Sequence, residues 1–518
     1  MPKPTPSTTP TEPSATAAPP TATADDRPPL PPGWVWATFD DVFSVVPITH
    51  NKVKVSDYLP TGKIPIIDQG SKFIGGFTND VSKQVQCKLP VIVFGDHTKH
   101  VKYVDFPFAA GADGIKVLEP RPIVIAKYAF YFLQLRDLLP NKGYARHFQF
   151  LRKARFPLAP LPEQRRIVAK IEELFSQLDA AEEGLRRVQR NLKRYRAAVL
   201  KAAVEGRLVP RRGVAPLRPD ETGAELLQRI LAKRRRKWEE QEWAKLVEKA
   251  KKKAAQARRK AQGRPARLKD IPPEEWQAIP EEEYRRYLPK DDRWKQRYKE
   301  PTPPDTANLP PLPEGWVWAT VGQLGEVSGG ITKNRKRSRL PIQMPYLRVA
   351  NVYANELRLD DVARIGVEER EIPKALLQEG DLLIVEGNGS IEQIGRVAIW
   401  DGRIKPCLHQ NHIIKVRFVL PEVVHYALYW LLSQGGRAQI MRVASSTSGL
   451  YTLSLSKVEH LPVPLPPLAE QRRIVAEVER RLSVAREAEK AVEANLKRIA
   501  RLRQAILKRA FEGRLLSQ

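Results

Sequence analysis

The sequence predicts an α+β protein arranged as a pseudo-twofold tandem repeat. Two globular domains of mixed strands and helices are separated by two long helices, which form an intramolecular antiparallel coiled coil. Three observations predict this. The first is repetition: "LPPGWVWAT" from Leu30 returns as "LPEGWVWAT" from Leu312, and "EQRRIVA" from Glu163 returns at Glu470. "YAFYFL" from Tyr128 resembles "YALYWL" from Tyr426, and "VLKAAVEGRL" from Val199 matches "ILKRAFEGRL" from Ile506. Trp34 maps onto Trp316, 282 residues on, and Glu163 onto Glu470, 307 residues on, so the ends of each unit are alike and the middles differ in length. The second observation is a heptad stripe after each EQRRIVA phrase. The third is the content of the interiors, where short β-branched runs alternate with Gly and Pro turns.

In chain order, residues 1–29 form a Pro/Thr-rich tail with nothing to bury, expected to be disordered. Residues 30–156 are the first domain. It opens with the alternating Gly-Trp-x-Trp-Ala-Thr segment of a half-buried strand, whose tryptophans read as core anchors in preference to base-stacking surfaces. "KIPIID", "VIVFGD" and "GIKVLE" read as further strands, and the aromatic stretch at Tyr128 as a buried helix. Residues 157–209 are the first spacer helix. Its apolar residues fall at Ile167, Ile171, Leu174, Leu178, Ala181, Leu185, Val188, Leu192, Tyr195, Val199 and Ala202, alternating steps of four and three. Glu163 and Glu470 suit the positive end of a helix, and Gly206 and Gly513 suit C-terminal caps.

Residues 210–311 are a charged linker, helical at first and then rich in Pro, Trp and Tyr. Residues 312–463 are the second domain, with "DLLIVEG" and "HIIKVRF" as strands and a buried helix at Tyr426. Residues 464–518 are the second spacer helix, which keeps much of the seam through Ile474, Val478, Ala485, Val492, Ile499 and Ile506. Neither stripe can stay in water, so each helix is expected to be the other's partner; an intermolecular coiled coil is the rival. A helix of 36 residues spans about 54 Å, so the two domains are expected at opposite ends of a rigid spacer, against about 34 Å for one turn of B-DNA.

Composition narrows the function. The net charge is +29, from 88 Lys and Arg against 59 Asp and Glu. An excess of this size points to nucleic acid or an anionic surface. Between Arg211 and Glu300 there are 27 basic and 16 acidic residues, so the linker holds +11 and +18 remains elsewhere. No apolar run reaches the length of a membrane span, and the start lacks the apolar core of a secretory signal, so no membrane partner is expected. Two cysteines, Cys87 and Cys407, exclude a disulfide framework and suit a reducing cytoplasm.

No catalytic constellation stands out. There is no G-x-x-x-x-G-K-[ST] loop, no Asp/Asn-Pro-Pro-aromatic motif and no glycine-rich AdoMet loop. His97-x-x-His100 and His409-x-x-His412 lack further ligand pairs, so hydrogen-bonded histidines are expected instead of a metal site. The polar loops of the interiors suit DNA. In the second domain "GGITKNRKRSRLP" from Gly329 offers Lys333, Asn334, Arg335, Lys336, Arg337 and Arg339 for phosphates. "GNGSIEQIG" from Gly387 offers Asn388, Ser390 and Gln393, and "HQNH" from His409 offers Gln410 and Asn411, side chains able to pair with adenine edges. "VASSTSGLYTLS" from Val443 adds Ser445, Ser446, Thr447 and Tyr451. In the first domain "DQGSKFIGG" from Asp68 offers Gln69, Ser71 and Lys72. "GDHTKHVKY" from Gly95 adds His97, Lys99, His100 and Lys102, and "NKGYARHFQF" from Asn141 adds Lys142, Tyr144 and Arg146. Each loop alone is an ordinary solvated surface; two sets on a basic chain favour DNA.

"LPEGWVWATVGQLGEVSGG", "PYLRVANVYANELRLDD", "GDLLIVEGNGSIEQIGR", "PLPPLAEQRRIVAEVE" and "LRQAILKRAFEGRL" together resemble the specificity subunit of Type I restriction–modification enzymes, over nearly everything from Leu30 to Leu516. The resemblance implies two target recognition domains, each reading one half of a split, asymmetric double-stranded DNA sequence, with paired helices fixing the unread gap. It implies a non-catalytic scaffold for adenine methyltransferase and motor–nuclease restriction subunits. AdoMet, ATP and Mg would sit on those partners, with no cofactor in this chain. The linker at 210–311 fits the family less neatly and is expected to bridge the halves or dock on a methyltransferase. A coiled-coil adaptor with degenerate recognition domains remains an alternative. A fused single-chain nuclease or methyltransferase is the other, although about 100 residues of lysine-rich linker is short for a catalytic domain.

Overall fold

The structure, a computed structural model, describes residues 29–111, 114–140, 145–209, 221–388, 393–447 and 450–516. It divides into two compact units. One takes the chain up to Val188 together with Ala491 onward, and the other takes Gln189 to Lys490. The boundary falls inside both long helices, so each unit owns the start of one and the end of the other.

The first unit contains β1 (Val35–Ala37), β2 (Phe43–Val46), β3 (Lys52–Val53), β4 (Ile64–Ile67), β5 (Gly76–Thr78), β6 (Val91–Gly95), β7 (Val101–Val104), β8 (Ala109–Gly111), β9 (Ile115–Pro120), α1 (Ala126–Leu133) and β10 (Phe156–Leu158). An antiparallel sheet runs β2-β9-β6-β7, and a second sheet runs β3-β8-β4-β5 with β8 parallel to both its neighbours. The two ends of the domain are zipped together, Val35 opposite Leu158. The second spacer's end completes this core: Leu507, Ala510 and Phe511 join Phe39, Phe43, Leu118, Tyr128, Phe132 and Phe156, with Ile167 and Ile171 from the first spacer. Phe511 stands edge-on to Tyr128 and Phe132, centroids 5.0 and 5.1 Å away, an arrangement aromatic pairs favour.

The first spacer is α2 (Leu161–Val204). The linker supplies α3 (Gly223–Ala261), started by a reciprocal cap between Thr222 and Glu225. The second domain contains β11 (Val317–Thr320), β12 (Gly325–Gly329), β13 (Ile342–Leu347), β14 (Ala363–Val367), β15 (Leu382–Val385), β16 (Val397–Ile399), β17 (Leu408–His409), β18 (Ile413–Phe418), α4 (Val424–Leu432) and β19 (Pro462–Leu465). The second spacer is α5 (Leu468–Phe511). The antiparallel sheet β12-β18-β15-β16 repeats the topology of β2-β9-β6-β7, and β14-β13-β17 repeats β5-β4-β8. Val317 lies opposite Leu465, closing this domain as Val35 and Leu158 close the first.

Within each unit the spacer segments run antiparallel. In the first, Ile167 and Ile171 share a core with Leu507 and Phe511, while further along α2 Asp179 and Glu182 take Arg503 at 2.5 and 3.0 Å. In the second, Val199 and Ala203 meet Ile474 and Val478, and Arg196 pairs with Glu489 at 2.8 Å. The expected seam forms, unevenly between the two helices. Ala181 is exposed, and Val188 and Tyr195 are 43% and 42% exposed, while Ile167, Ile171 and Val199 are buried. On α5 the stripe stays buried through Ala485, Val492 and Ile499, so the seam is kept on that helix and lies partly in solvent on α2, with ion pairs beside it.

The linker is more than a bridge. Leu226, Leu227 and Ile230 of α3 are buried in the second domain's core, and Gly223 N–H donates to Gly315 O at 2.7 Å. The far end of α3 carries its own small core, Ala254 and Ala255 against Ile271 and Ile279, with Arg259 gripping Glu275.

Each repeated phrase resolves into one repeated contact. Gly33 and Gly315 both turn at φ +80°, bringing Trp34 N–H to Pro31 O and Trp316 N–H to Pro313 O. Thr38 with Asp41 and Thr320 with Gln323 form matching capping boxes. Gly206 and Gly513, both at φ +70°, end the spacers, and the next residues bond back to Ala202 O and Arg509 O.

Candidate nucleic-acid interface

In both domains polar loops leave one end of the antiparallel four-stranded sheet and meet others there. Gly95 at the end of β6 sits opposite Ile115 at the start of β9, and Val385 at the end of β15 sits opposite Ile413 at the start of β18. A single acidic residue ties three loops at that end. In the first domain it is the buried Asp96: its N–H donates to Gly114 O, its carbonyl accepts from His147 N–H, and its Oδ1 accepts from Phe148 N–H at 2.8 Å. In the second it is Glu386, whose N–H donates to His412 O and whose carbonyl accepts from Leu453 N–H. Neither tether was apparent from the sequence; the shared signal was an acidic residue followed by a polar loop after an apolar strand.

The first domain gathers several predicted residues here. Gln69 O accepts from Thr98 Oγ1–H at 2.7 Å and meets His100 Nδ1 at 3.0 Å. Gln69 also lies against Gly95 and Gly114, where a Cβ would come within 3.0 and 2.7 Å of it. Lys99 adopts φ 59° and donates to Pro140 O. Ser71, Lys72, His100 and Arg146 are exposed, and His97 is half-buried. Lys102 departs from the expected DNA contact. Its ammonium is buried and donates to Lys72 O at 2.5 Å and Asp68 Oδ1 at 3.4 Å, and that burial lowers its pKa. It holds the Gln69 loop in place. Phe73, 46% exposed beside Lys72, was passed over in the sequence although an aromatic in a Gly-flanked polar loop is a signal. Lys142 and Tyr144 lie outside the described residues.

The second domain does the same with different side chains. Asn334 Oδ1 caps the turn at Arg335–Arg339 by accepting from Lys336 and Arg337 N–H. Arg337 turns inward, donating to Thr332 O and Gly366 O and forming two bonds of 2.9 and 2.8 Å to Glu371. Those bonds hold the Glu371 carboxyl down to about 2. Arg337 therefore shapes the loop, and Lys333, Arg335, Lys336 and Arg339 stay exposed with no ion pair among the described residues.

Asn411 N–H donates to Ile331 O and Ile331 N–H to His409 O, which zips the basic loop to Gln410 and Asn411. His409 is buried and its Nδ1 meets Ile413 O at 2.8 Å, while desolvation and then Lys415 push its pKa to about 4. Asn388 pairs through its backbone with Tyr451, which also pairs with Ser446; Ser445 and Thr447 belong to the same strand patch. Gln393 is exposed on the adjoining turn, and Ser390 lies outside the described residues. Among the described residues no group of three or more His, Cys, Asp or Glu is placed to hold a metal, and no helix is long and apolar enough to cross a membrane.

Comparison with known proteins bears on the family and the fold. The profile of the family described as Type I restriction modification DNA specificity domain matches residues 31–188 and 313–498. The chain is 23% identical over 520 residues to the Type I restriction enzyme EcoKI specificity subunit of Escherichia coli (strain K12), covering 94% of this chain and 90% of the relative. It is 22% identical over 518 residues to the StySPI specificity subunit of Salmonella potsdam, with the same coverage of each. A solved chain from work on complex assembly and conformational transition of the type I R-M system shares the fold, with TM-score 0.53 and 17% identity, covering 94% of this chain and 100% of that one. With both matched segments falling on the two repeats, the chain belongs to the family of Type I restriction–modification DNA specificity subunits.

Proposed function

We propose that each domain reads one half of a split, asymmetric double-stranded DNA target, and that the spacer helices set the unread gap. The observation that carries this is the pair of loop clusters, tethered alike by Asp96 and Glu386 but furnished differently. Equal scaffolds give the two domains equal approaches to DNA. Unequal side chains give them unequal half-sites.

In this reading Lys333, Arg335, Lys336 and Arg339 neutralise phosphates and set affinity and its salt dependence. Gln69, His100, Arg146, Asn388, Gln410, Asn411 and the hydroxyls around Tyr451 are candidates for base edges, and Phe73 for a thymine methyl. The chain itself is non-catalytic. It scaffolds adenine methyltransferase and motor–nuclease restriction subunits in the cytoplasm, and AdoMet, ATP and Mg belong to those partners. One adenine per half-site, on opposite strands, would be presented for flipping and methylation.

Selection of bound duplexes from a random-sequence library by the assembled methyltransferase complex tests this. The expected product is a bipartite consensus with a fixed gap. A single continuous consensus, or no enrichment, would count against two half-site readers.

A further inference from the structure

We propose that the groove between α3 and the far end of β18 is a docking site for an acidic, partly apolar segment of a partner protein. The proposed function enters only in choosing the partner to test. The groove encloses about 650 Å³ between one face of α3 and the segments Gln378–Asp381 and Arg417–Pro421.

α3 carries fourteen Lys and Arg against five Glu, and most basic helices of this kind are simply solvated. The groove differs in how its cations are engaged. Arg229 is tied to Glu221 at 2.6 Å, Lys237 to Glu326 at 2.9 Å, and Arg417 to both oxygens of Asp381 at 2.7 Å. Lys233 and Arg236 line the same groove on successive turns and have no hydrogen bond or ion pair among the described residues. An arginine and a lysine so placed suit carboxylates, which a guanidinium binds through two parallel bonds.

Two features argue for a protein segment over DNA. The first is position. The loops of the candidate interface leave β18 at Ile413, whereas the groove lies at Phe418, about 16 Å away at 3.3 Å per residue. The second is the floor, where Ala232, Val419, Leu420 and Pro421 are apolar and Glu240 and Glu379 stand among the cations. A nucleic-acid backbone seeks an unbroken row of positive charge and offers no apolar face; an acidic peptide with an interspersed leucine offers both. The site is also rigid, because Leu226, Leu227 and Ile230 are buried in the domain core and Arg234 donates to Gly325 O at 3.0 Å. Little ordering is then required of this side on binding.

The test compares two charge reversals in the full chain, each measured for assembly with the methyltransferase subunit of its own system and for DNA affinity. Lys233→Glu/Arg236→Glu alters the groove; Lys249→Glu/Lys253→Glu makes the same net change on the exposed face of α3 outside it. All four side chains are exposed and make no hydrogen bond or ion pair among the described residues, so both variants should fold. The expected result is a loss of assembly affinity of tenfold or more for the groove pair, less than threefold for the control, and DNA affinity unchanged within twofold. Equal losses, no loss, or a loss of DNA affinity in place of assembly would overturn the proposal. If the unaltered chain does not assemble with the methyltransferase, the proposed function fails. The groove is then judged with a fluorescein-labelled Glu-Leu-Glu-Glu-Leu-Glu peptide, whose saturable binding, lost in the groove variant, supports docking and whose failure to bind overturns it.

Discussion

The indole N–H of Trp34 donates to the carboxylate of Glu163 at 3.0 Å, and 282 and 307 residues later Trp316 repeats the bond to Glu470 at 2.9 Å. Each bond joins the residue that leads into a domain's first strand to the first turn of the spacer that follows it. In both copies the adjacent glutamine is buried and ties the helix start to the loop before it. Gln164 donates to Ala159 O and Ile123 O, and Gln471 donates to Pro466 O. The repeated phrases are two halves of one joint, which fixes the direction in which a domain meets its spacer.

Replacing the donor tests the joint. Trp34→Phe leaves the ring's bulk largely in place and removes the N–H from a half-buried carboxylate. A loss of about 1.5–3 kcal/mol is expected, read from denaturant midpoints. Trp316→Phe should cost about the same, and a Trp34→Phe/Glu163→Ala cycle should recover most of the loss as coupling. Independent effects of the two residues would mean the bond carries little.

The exposed cations of the Gly329 loop should govern affinity and its salt dependence, and not the sequence preferred. Each change among Lys333→Gln, Arg335→Gln, Lys336→Gln and Arg339→Gln is expected to lower the slope of log K against log salt by about 0.9, with the preferred sequence unchanged. Arg337→Gln should behave differently, because it frees the loop from Glu371: recognition of one half-site would blur while the other stays sharp. Competition binding against half-site variants separates the two outcomes.

Gly114 is at φ +84° with Gln69 2.7 Å from the position of a missing Cβ. Gly114→Ala must displace Gln69 and strain the backbone. The expected result is weakened recognition of the first domain's half-site, with the second half-site and overall stability within about 2 kcal/mol of the unaltered chain. A normal first half-site would remove Gln69 from the reading surface.

Lys415 gives a pH signature. It is buried, donating to Lys374 O and Leu376 O, and desolvation followed by Arg417 pushes its pKa to about 8 from 10.5. Below pH 8 both folded and unfolded chains hold the proton, and the fold bears the cost of a buried charge. Between about 8 and 10.5 the unfolded chain still binds the proton that the folded chain has released, so stability from this group rises with pH. Relative to Lys415→Met, the unaltered chain should therefore gain on the order of 1–3 kcal/mol across that window, read from urea midpoints. A constant difference would place the ammonium in water.

The large frame was legible because repetition exposes it. Two tryptophans, two EQRRIVA phrases and two cap glycines recur because each makes a contact that both domains need. The spacer helices were legible from heptads, although Val188 and Tyr195 show that a stripe can be regular and still half in solvent. The candidate interface was legible as loops but less so as side chains. Lys102 read as a DNA contact and Arg337 as a phosphate ligand, yet one is buried against Asp68 and the other is held by Glu371, and neither partner is near in sequence. The tethers Asp96 and Glu386 were missed because they act through backbone atoms of loops far along the chain. Nothing in the composition of α3 revealed that its first turns enter the second domain's core.

The central claim is that two domains on one frame read two different half-sites. The most direct measurement is a genome-wide map of N6-methyladenine, by single-molecule sequencing, in a methylation-free host co-expressing this chain with its methyltransferase. The account predicts a split, non-palindromic motif with a fixed gap and one modified adenine on each strand. A palindromic or continuous motif, or an unmodified genome from an intact complex, would contradict it.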